Sequence, residues 1–271
     1  AKRFFQTMTE QMTDKSNRLN LCTLASGSRG NSIFVSDGQT SLLVDAGLSA
    51  KEIHRRMQAV DLSPDALEGL VVSNEHSDHI QGIGVLSRRF KLPVYLSDAT
   101  RKAAVRLGKL HAYQTFQCGT PFQIKTLKVH PFSISHDATD PAGFTIASNG
   151  KRIGIATDLG KATAMVNDRL SGCGMIVLEA NHDPKMLEQG PYPWHLKQRI
   201  RSRHGHLSNP ESKNLLAQIQ HQHLKYVILA HLSETNNTAE KAYREVASAI
   251  TQAHARILVA GQYRPGPILS I

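Results

Sequence analysis

A short apolar run, Leu70 to Val72, leads directly into Ser73-Asn74-Glu75-His76-Ser77-Asp78-His79, so two imidazoles and a carboxylate leave the end of one extended segment. Imidazole nitrogen and carboxylate oxygen are ligands for divalent ions, and a tight turn can aim His76 one way and Asp78 with His79 another. By itself HxDH is a weak signal in a chain with 14 histidines, because a polar surface loop reads the same way. The placement recurs, however. His136 ends the apolar run FSIS, Asp158 follows GIAT, Glu179 ends MIVL, His206 lies in GHLSN ahead of a helical segment, and His231 ends YVILA. Ligands gather at the carboxyl ends of strands in α/β sheets, so these placements predict convergence on one edge.

The elements that must position these groups are strands interleaved with helices. Residues 19–47 predict strand, glycine turn, strand, turn, strand, ending at Asp45. A helix is expected over 49–59, with Ser49 as cap and Glu52 completing a capping box. Strand 94–97 and helix 98–108, capped by Asp98, follow. Strands fill 122–134 and 143–156, with a hairpin at Asn149-Gly150. A helix capped by Asn209 spans 209–222, strand 225–230 precedes helix 238–253, and 256–260 is the last strand. Residues 1–18 read as an N-terminal tail, and 19–271 as one α/β domain of layered sheets. The chain has 271 residues, and none of its apolar runs approaches the ~20 residues of a membrane span. Its three cysteines, Cys22, Cys118 and Cys173, form no CxxC and point to a reducing compartment, so a cytoplasmic location is expected.

From Leu19 onward the chain resembles the metallo-β-lactamase fold hydrolases, and within them the YycJ/WalJ-type branch. The resemblance rests on ASGSRGN (25–31), LLVDAG (42–47), EHSDH (75–79), HDATDPAGF (136–144), TDLG (157–160), LEANHD (178–183), GPYPWHLKQRI (190–200), GHLSN (205–209) and HLSETNN (231–237). It implies a four-layer αββα sandwich with a metal site at one edge. It also implies a ligand set of His76 and His136 for a first ion, Asp78, His79 and His231 for a second, and Asp158 between them. Asn74 stands where the family motif HxHxDH begins with histidine. An amide oxygen is a poorer ligand than imidazole, so one tight site, the second, and a weak or empty first one are expected, holding Zn²⁺ or Mn²⁺. A bound ion of this kind lowers the pKa of water toward ~7. Asp158 is expected to orient the nucleophile and His206 to stabilise or protonate the leaving oxygen. Glu179 is either the partner that sets the protonation of His206 or a surface carboxylate. Asp45 is expected to orient a ligating histidine.

Charge points to the substrate. Thirty-two Lys and Arg against 22 Asp and Glu leave a formal +10. Within WHLKQRIRSRHGH (194–206) there is no acid, so Trp194, Lys197, Arg199, Arg201 and Arg203 form a candidate strip for nucleic acid, with Trp194 and Tyr192 available for stacking. The reading is a metal-dependent phosphodiesterase, a DNA exonuclease acting on DNA rather than RNA. The alternatives are a thioesterase- or lactamase-type hydrolase on the same fold, and a catalytically silent nucleic-acid-binding relative.

Overall fold

The computed structural model describes residues 18–251 and 255–271, so the expected tail falls outside it except for Arg18. The first sheet runs β14 (Leu269–Ser270), β1 (Asn20–Ala25), β2 (Ser32–Ser36), β3 (Ser41–Val44), β4 (Gly69–Val71), β5 (Pro93–Ser97), β6 (Ala112–Phe116). The second runs β13 (Arg256–Val259), β12 (Tyr226–Ala230), β11 (Met175–Glu179), β10 (Lys151–Ala156), β9 (Ala142–Ser148), β8 (Leu127–Ser133), β7 (Phe122–Ile124). Four helices follow strands of the first sheet: α1 (Ala50–Gln58), α2 (Ser77–Ile80), α3 (Ile83–Phe90) and α4 (Asp98–Ala103). Five accompany the second: α5 (Ala164–Leu170), α6 (Pro184–Gln189), α7 (Trp194–Arg201), α8 (Asn209–Ile219) and α9 (Ala239–Ala247).

Side chains alternate between the two faces of a strand, and this sorts the core into three layers. Met175 and Val177 of β11 meet Leu21, Val35 and Val44 of the other sheet. Their neighbours Ile176 and Leu178 face outward onto Val166, Leu215 and Val246 of α5, α8 and α9. On the far side of the molecule, Ile53 and Met57 of α1 with Ile83 and Leu86 of α3 cover the outer face of the first sheet. Three apolar layers separate four layers of structure, which is the expected αββα sandwich.

Strand direction explains why the site lies where it does. β10, β11, β12 and β13 are parallel neighbours. β8 runs the same way, because β8–β9 and β9–β10 are both antiparallel. The carboxyl ends of β8, β10, β11 and β12 therefore open on one edge, and just beyond them stand His136, Asp158, Glu179 and His231. β3 and β4 are parallel in the other sheet and bring Asp45 and residues 73–79 to their own carboxyl ends.

Several local expectations are corrected. Ser97 caps α4 instead of Asp98, whose carboxylate pairs with Arg101 and Lys102 in the first turns. Ser208 caps α8 instead of Asn209, forming a reciprocal capping box with Glu211. Both helices stop short of the expected ends, at Ala103 and Ile219, and the helix expected to 253 ends at Ala247, with 252–254 outside the described residues. Ser49 does cap α1, but the Glu52 carboxylate pairs with Arg55 and Arg56 and leaves the box half made. Asn149 and Gly150 turn the β9–β10 hairpin at φ +48° and +75°.

Candidate metal centre

Each strand end delivers its side chain through a sharp local bend. Asp45, Asp158 and His231 adopt left-handed backbone at φ +61°, +55° and +56°. Such conformations cost a non-glycine residue about 1–3 kcal/mol and persist where surrounding structure fixes them. Here the fixing contacts are visible: Asp45 N donates to Val71 O (2.8 Å), and His231 N to Ser26 Oγ (2.7 Å). Close packing also sets the motif loop. Asn31 N donates to Asp78 O, and a Cβ on Gly47 would lie 1.5 Å from that same carbonyl, so glycine is required there.

The groups meet at Asp158, which is buried. Its Oδ2 lies 2.7 Å from His79 Nε2 and accepts from Asn74 Nδ2 at 2.8 Å. Its Oδ1 lies 3.4 Å from His231 Nδ1 and 3.7 Å from both His136 Nε2 and His206 Nδ1. Imidazoles follow one another around it in a chain of edge-on and tilted contacts: ring centroids are 5.2 Å apart for His76–His136, 5.1 Å for His136–His206 and 5.1 Å for His206–His231. Two triads have ligand atoms within 4.8 Å of one another, His76–His136–Asp158 and Asp78–His79–His231.

Hydrogen bonding fixes which ring nitrogens are free. A carboxylate only accepts, so the Nδ1 atoms of His231 (2.7 Å) and His206 (2.9 Å) both donate to Glu179 Oε1. His79 Nδ1 likewise donates to Asp45 Oδ2 at 2.8 Å. The Nε2 atoms are thereby turned toward the cluster, and His231 Nε2 is buried with no hydrogen-bond partner, 3.8 Å from Asp78 Oδ2. Burial alone would push Asp158 upward, but the charge of His231 and His79 outweighs it and holds the carboxyl well below its ordinary range. Burial would lower His79 and His231 too, yet Asp158 with Asp45 raises the first, and Asp158 with Asp78 and Glu179 the second, well above the ordinary imidazole range. Protons shared between rings and carboxylates tie these groups together. A divalent ion fits the same donors, because it can replace those protons and satisfy the orphaned His231 Nε2.

Of the residues expected from the sequence, His76, Asp78, His136, Asp158, His206 and His231 line one cavity of about 290 Å³, and His79 lies fully buried against Asp158 and Asp45. The Oδ1 of Asn74 accepts from His76 N (2.9 Å) and its amide nitrogen donates to Asp158 (2.8 Å), so the side chain is engaged within the motif loop. Glu179 is neither a surface carboxylate nor a group that meets substrate. It lies fully buried beneath His206 and His231, where burial would raise it but those two rings hold it at about 2. It positions them. Of the basic strip, Arg199 alone lines this cavity and pairs with Asp137. Lys197 Nζ caps the Glu188 carbonyl (2.7 Å), Arg201 reaches toward Pro184 O (3.5 Å), Arg203 lines neither this cavity nor the one beside it, and Trp194 is 68% exposed. Asp45 orients His79 as expected. Asn31 and Ser73, which the sequence did not single out, join it: Asn31 Nδ2 lies 3.2 Å from His79 Nε2 and Ser73 Oγ 3.0 Å from His79 Nδ1.

Comparison with known proteins agrees with this geometry. Residues 40–232 match the profile of the beta-lactamase superfamily domain. An exodeoxyribonuclease YycJ of Bacillus anthracis is 36% identical over 237 residues, covering 86% of this chain and 90% of its own. An exodeoxyribonuclease WalJ of Streptococcus pneumoniae is 36% identical over 239 residues, covering 85% and 87%. Among solved structures, the metallo-beta-lactamase fold protein YhfI from Bacillus subtilis superposes with a TM-score of 0.73 at 16% identity, over 94% of this chain and all of its own.

Proposed function

The chain belongs to the beta-lactamase superfamily, and from that premise we propose that it is a metal-dependent DNA exonuclease. It is a metal-dependent hydrolase of the nuclease and phosphodiesterase type, and its substrate is nucleic acid. DNA, in preference to RNA, is the finer reading, supported by the names of two relatives and by a formal charge of +10. No described helix is long and apolar enough to cross a membrane, and a cytoplasmic location belongs to the same reading.

The observation that carries the proposal is the convergence of separate strand ends on Asp158 with the Nε2 of His231 left unpaired. Asp78, His79, His231 and Asp158 would hold the tighter ion; His76 and His136 with Asp158 would offer the weaker place. A divalent ion there supplies Lewis acidity and makes water nucleophilic near neutral pH, and zinc and manganese both suit this mixed set. The protein's own groups do the rest. Asp158 holds the attacking water by its carboxylate. His206, its Nδ1 fixed by Glu179, turns its other edge to the cavity and delivers a proton to the leaving oxygen. Arg199 at the cavity wall, held by Asp137 through Nε and Nη2, keeps its remaining N–H groups for a phosphate.

Metal-loaded protein should degrade single- or double-stranded DNA, and His206→Ala should lower turnover far more than metal content. Protein that cleaves neither DNA nor a generic phosphodiester with zinc or manganese contradicts the proposal.

A further inference from the structure

A second cavity of about 310 Å³ adjoins the metal cluster, walled by Tyr192, Leu196 and Ile200 on one side and by Asn181 and Ser233 on another. It shares Ser28, Asp137, Arg199 and His206 with the cavity that contains the ligand triads, so the two are chambers of one cleft. The neck between them is the Arg199–Asp137 ion pair beside His206. From this arrangement we infer that the second chamber binds the terminal nucleoside of the DNA strand, with its phosphate at Arg199 and the bond to be cut at the metal cluster. The inference rests on the nuclease reading and names the part of the substrate that the site grips.

The chemistry of the walls supports it. Leu196, Arg199 and Ile200 stand at i, i+3 and i+4 on α7, so one helix face supplies both the apolar wall and the guanidinium at the neck. Tyr192, just before that helix, adds an aromatic ring to the same wall, and a flat base stacks on such a surface whatever its identity. Asn181, which also lines the chamber, is buried and donates through Nδ2 to the His231 carbonyl (2.8 Å), so its carboxamide oxygen remains as an acceptor for a base or sugar donor. Ser233 offers a hydroxyl able to donate or accept. A volume at the low end of the ~300–1,000 Å³ range of small-ligand sites suits one nucleoside. The placement of these walls also assigns α7 its role. The face bearing Leu196 and Ile200 holds the base, while Lys197 and Arg201 are turned to carbonyls of the 184–188 segment.

Calorimetric titration of the metal-loaded protein with dAMP and with 2-deoxyribose 5-phosphate separates the chamber from the metal cluster, since both ligands carry the same phosphate. We expect dAMP to bind about tenfold tighter or more, the low end of what base stacking supplies. Leu196→Trp and Ile200→Trp, which fill the chamber, should abolish that gap and leave the sugar phosphate bound within about twofold of wild type. Tyr192→Ala removes volume instead of adding it, and should shrink the gap without crowding α7. Equal affinities for the two ligands, or a gap that survives all three substitutions, overturn the inference. The nuclease reading fails separately: it falls if the wild-type protein releases no nucleotide from DNA, whereas DNA degradation combined with equal affinities overturns the chamber alone.

Discussion

The two halves of the metal cluster are built from the same residue types yet held very differently. In the Asp78–His79–His231 half, carboxylates anchor both rings: Asp45 takes Nδ1 of His79 and Glu179 takes Nδ1 of His231, at 2.8 and 2.7 Å. Asn31 braces Asp78 at 3.3 Å. In the other half, Nδ1 of His136 is anchored by the Gly205 carbonyl at 3.2 Å, its Nε2 lies 3.4 Å from Asp137, and among the described residues the His76 ring makes no hydrogen bond. The place where the family motif begins with histidine carries an amide that binds Asp158 directly. A ring anchored by a carboxylate is a more basic and better-aimed ligand than one anchored by a carbonyl or by nothing. The two halves therefore differ in ion affinity because of their outer partners as much as because of Asn74.

The sharpest way to break that contrast is to remove one ring from each half. His79→Ala should abolish tight metal binding and lower DNA degradation by about 10³-fold or more, the scale of several kcal/mol of Lewis-acid stabilisation. His76→Ala should cost less and keep the tight ion; equal metal loss in both variants, measured by mass spectrometry, would erase the distinction. Next come the anchors. Asp45→Asn and Glu179→Gln should each weaken metal affinity by about 10–100-fold, read by competition with a chelator, although neither is expected to touch the ion.

A pH effect follows from the same contrast, in metal-stripped protein. Burial pulls His79 and His231 down, but their carboxylate partners outweigh it and raise both above the ordinary 6.5. The stabilisation they give is complete below the unfolded value and fades as pH rises through the folded ones. Asp158 and Glu179, lowered from ordinary values of 3.8 and 4.5, contribute above those values and lose their contribution as pH falls. His136, which burial lowers, has the opposite sign to its two neighbours and is destabilising as it is forced to charge below 6.5. The melting temperature of stripped protein should therefore fall on the alkaline side, and bound metal should remove that fall. An alkaline limb that stays flat without metal would show that the rings are not coupled as described. The smallest effect is expected from Asn74→His, which should raise occupancy of the weaker place by a detectable fraction in manganese titrations while leaving the tight ion unchanged; no change would assign the weakness to His76 and His136 alone.

The strand-end ligands were legible in the sequence because each follows an apolar run that can only be a buried strand, so its polar successor must emerge at a sheet edge. Strand 112–116 was not, since Ala112–Phe116 is a largely exposed edge strand with no alternation of polarity to betray it. Helices α5 and α6 span seven and six residues, too few for a helical period to stand out. Within the site, Asn31 and Ser73 were illegible for another reason: their roles depend on contacts between loops, as when Asn31 reaches Asp78 across the β1–β2 turn. Asn74 reads as a weak oxygen ligand because its type permits that, while its bonds to the His76 backbone amide and to Asp158 depend on the folded loop. The run of cations from Lys197 to Arg203 looked like one binding strip, but helical geometry turns Arg199 alone into the cleft.

Metal stoichiometry by mass spectrometry, on protein purified without chelator, tests the central claim most directly. The account predicts about one tightly held divalent ion per chain, lost on His79→Ala and retained on His76→Ala. Protein that retains no ion, or two held equally tightly, would contradict it.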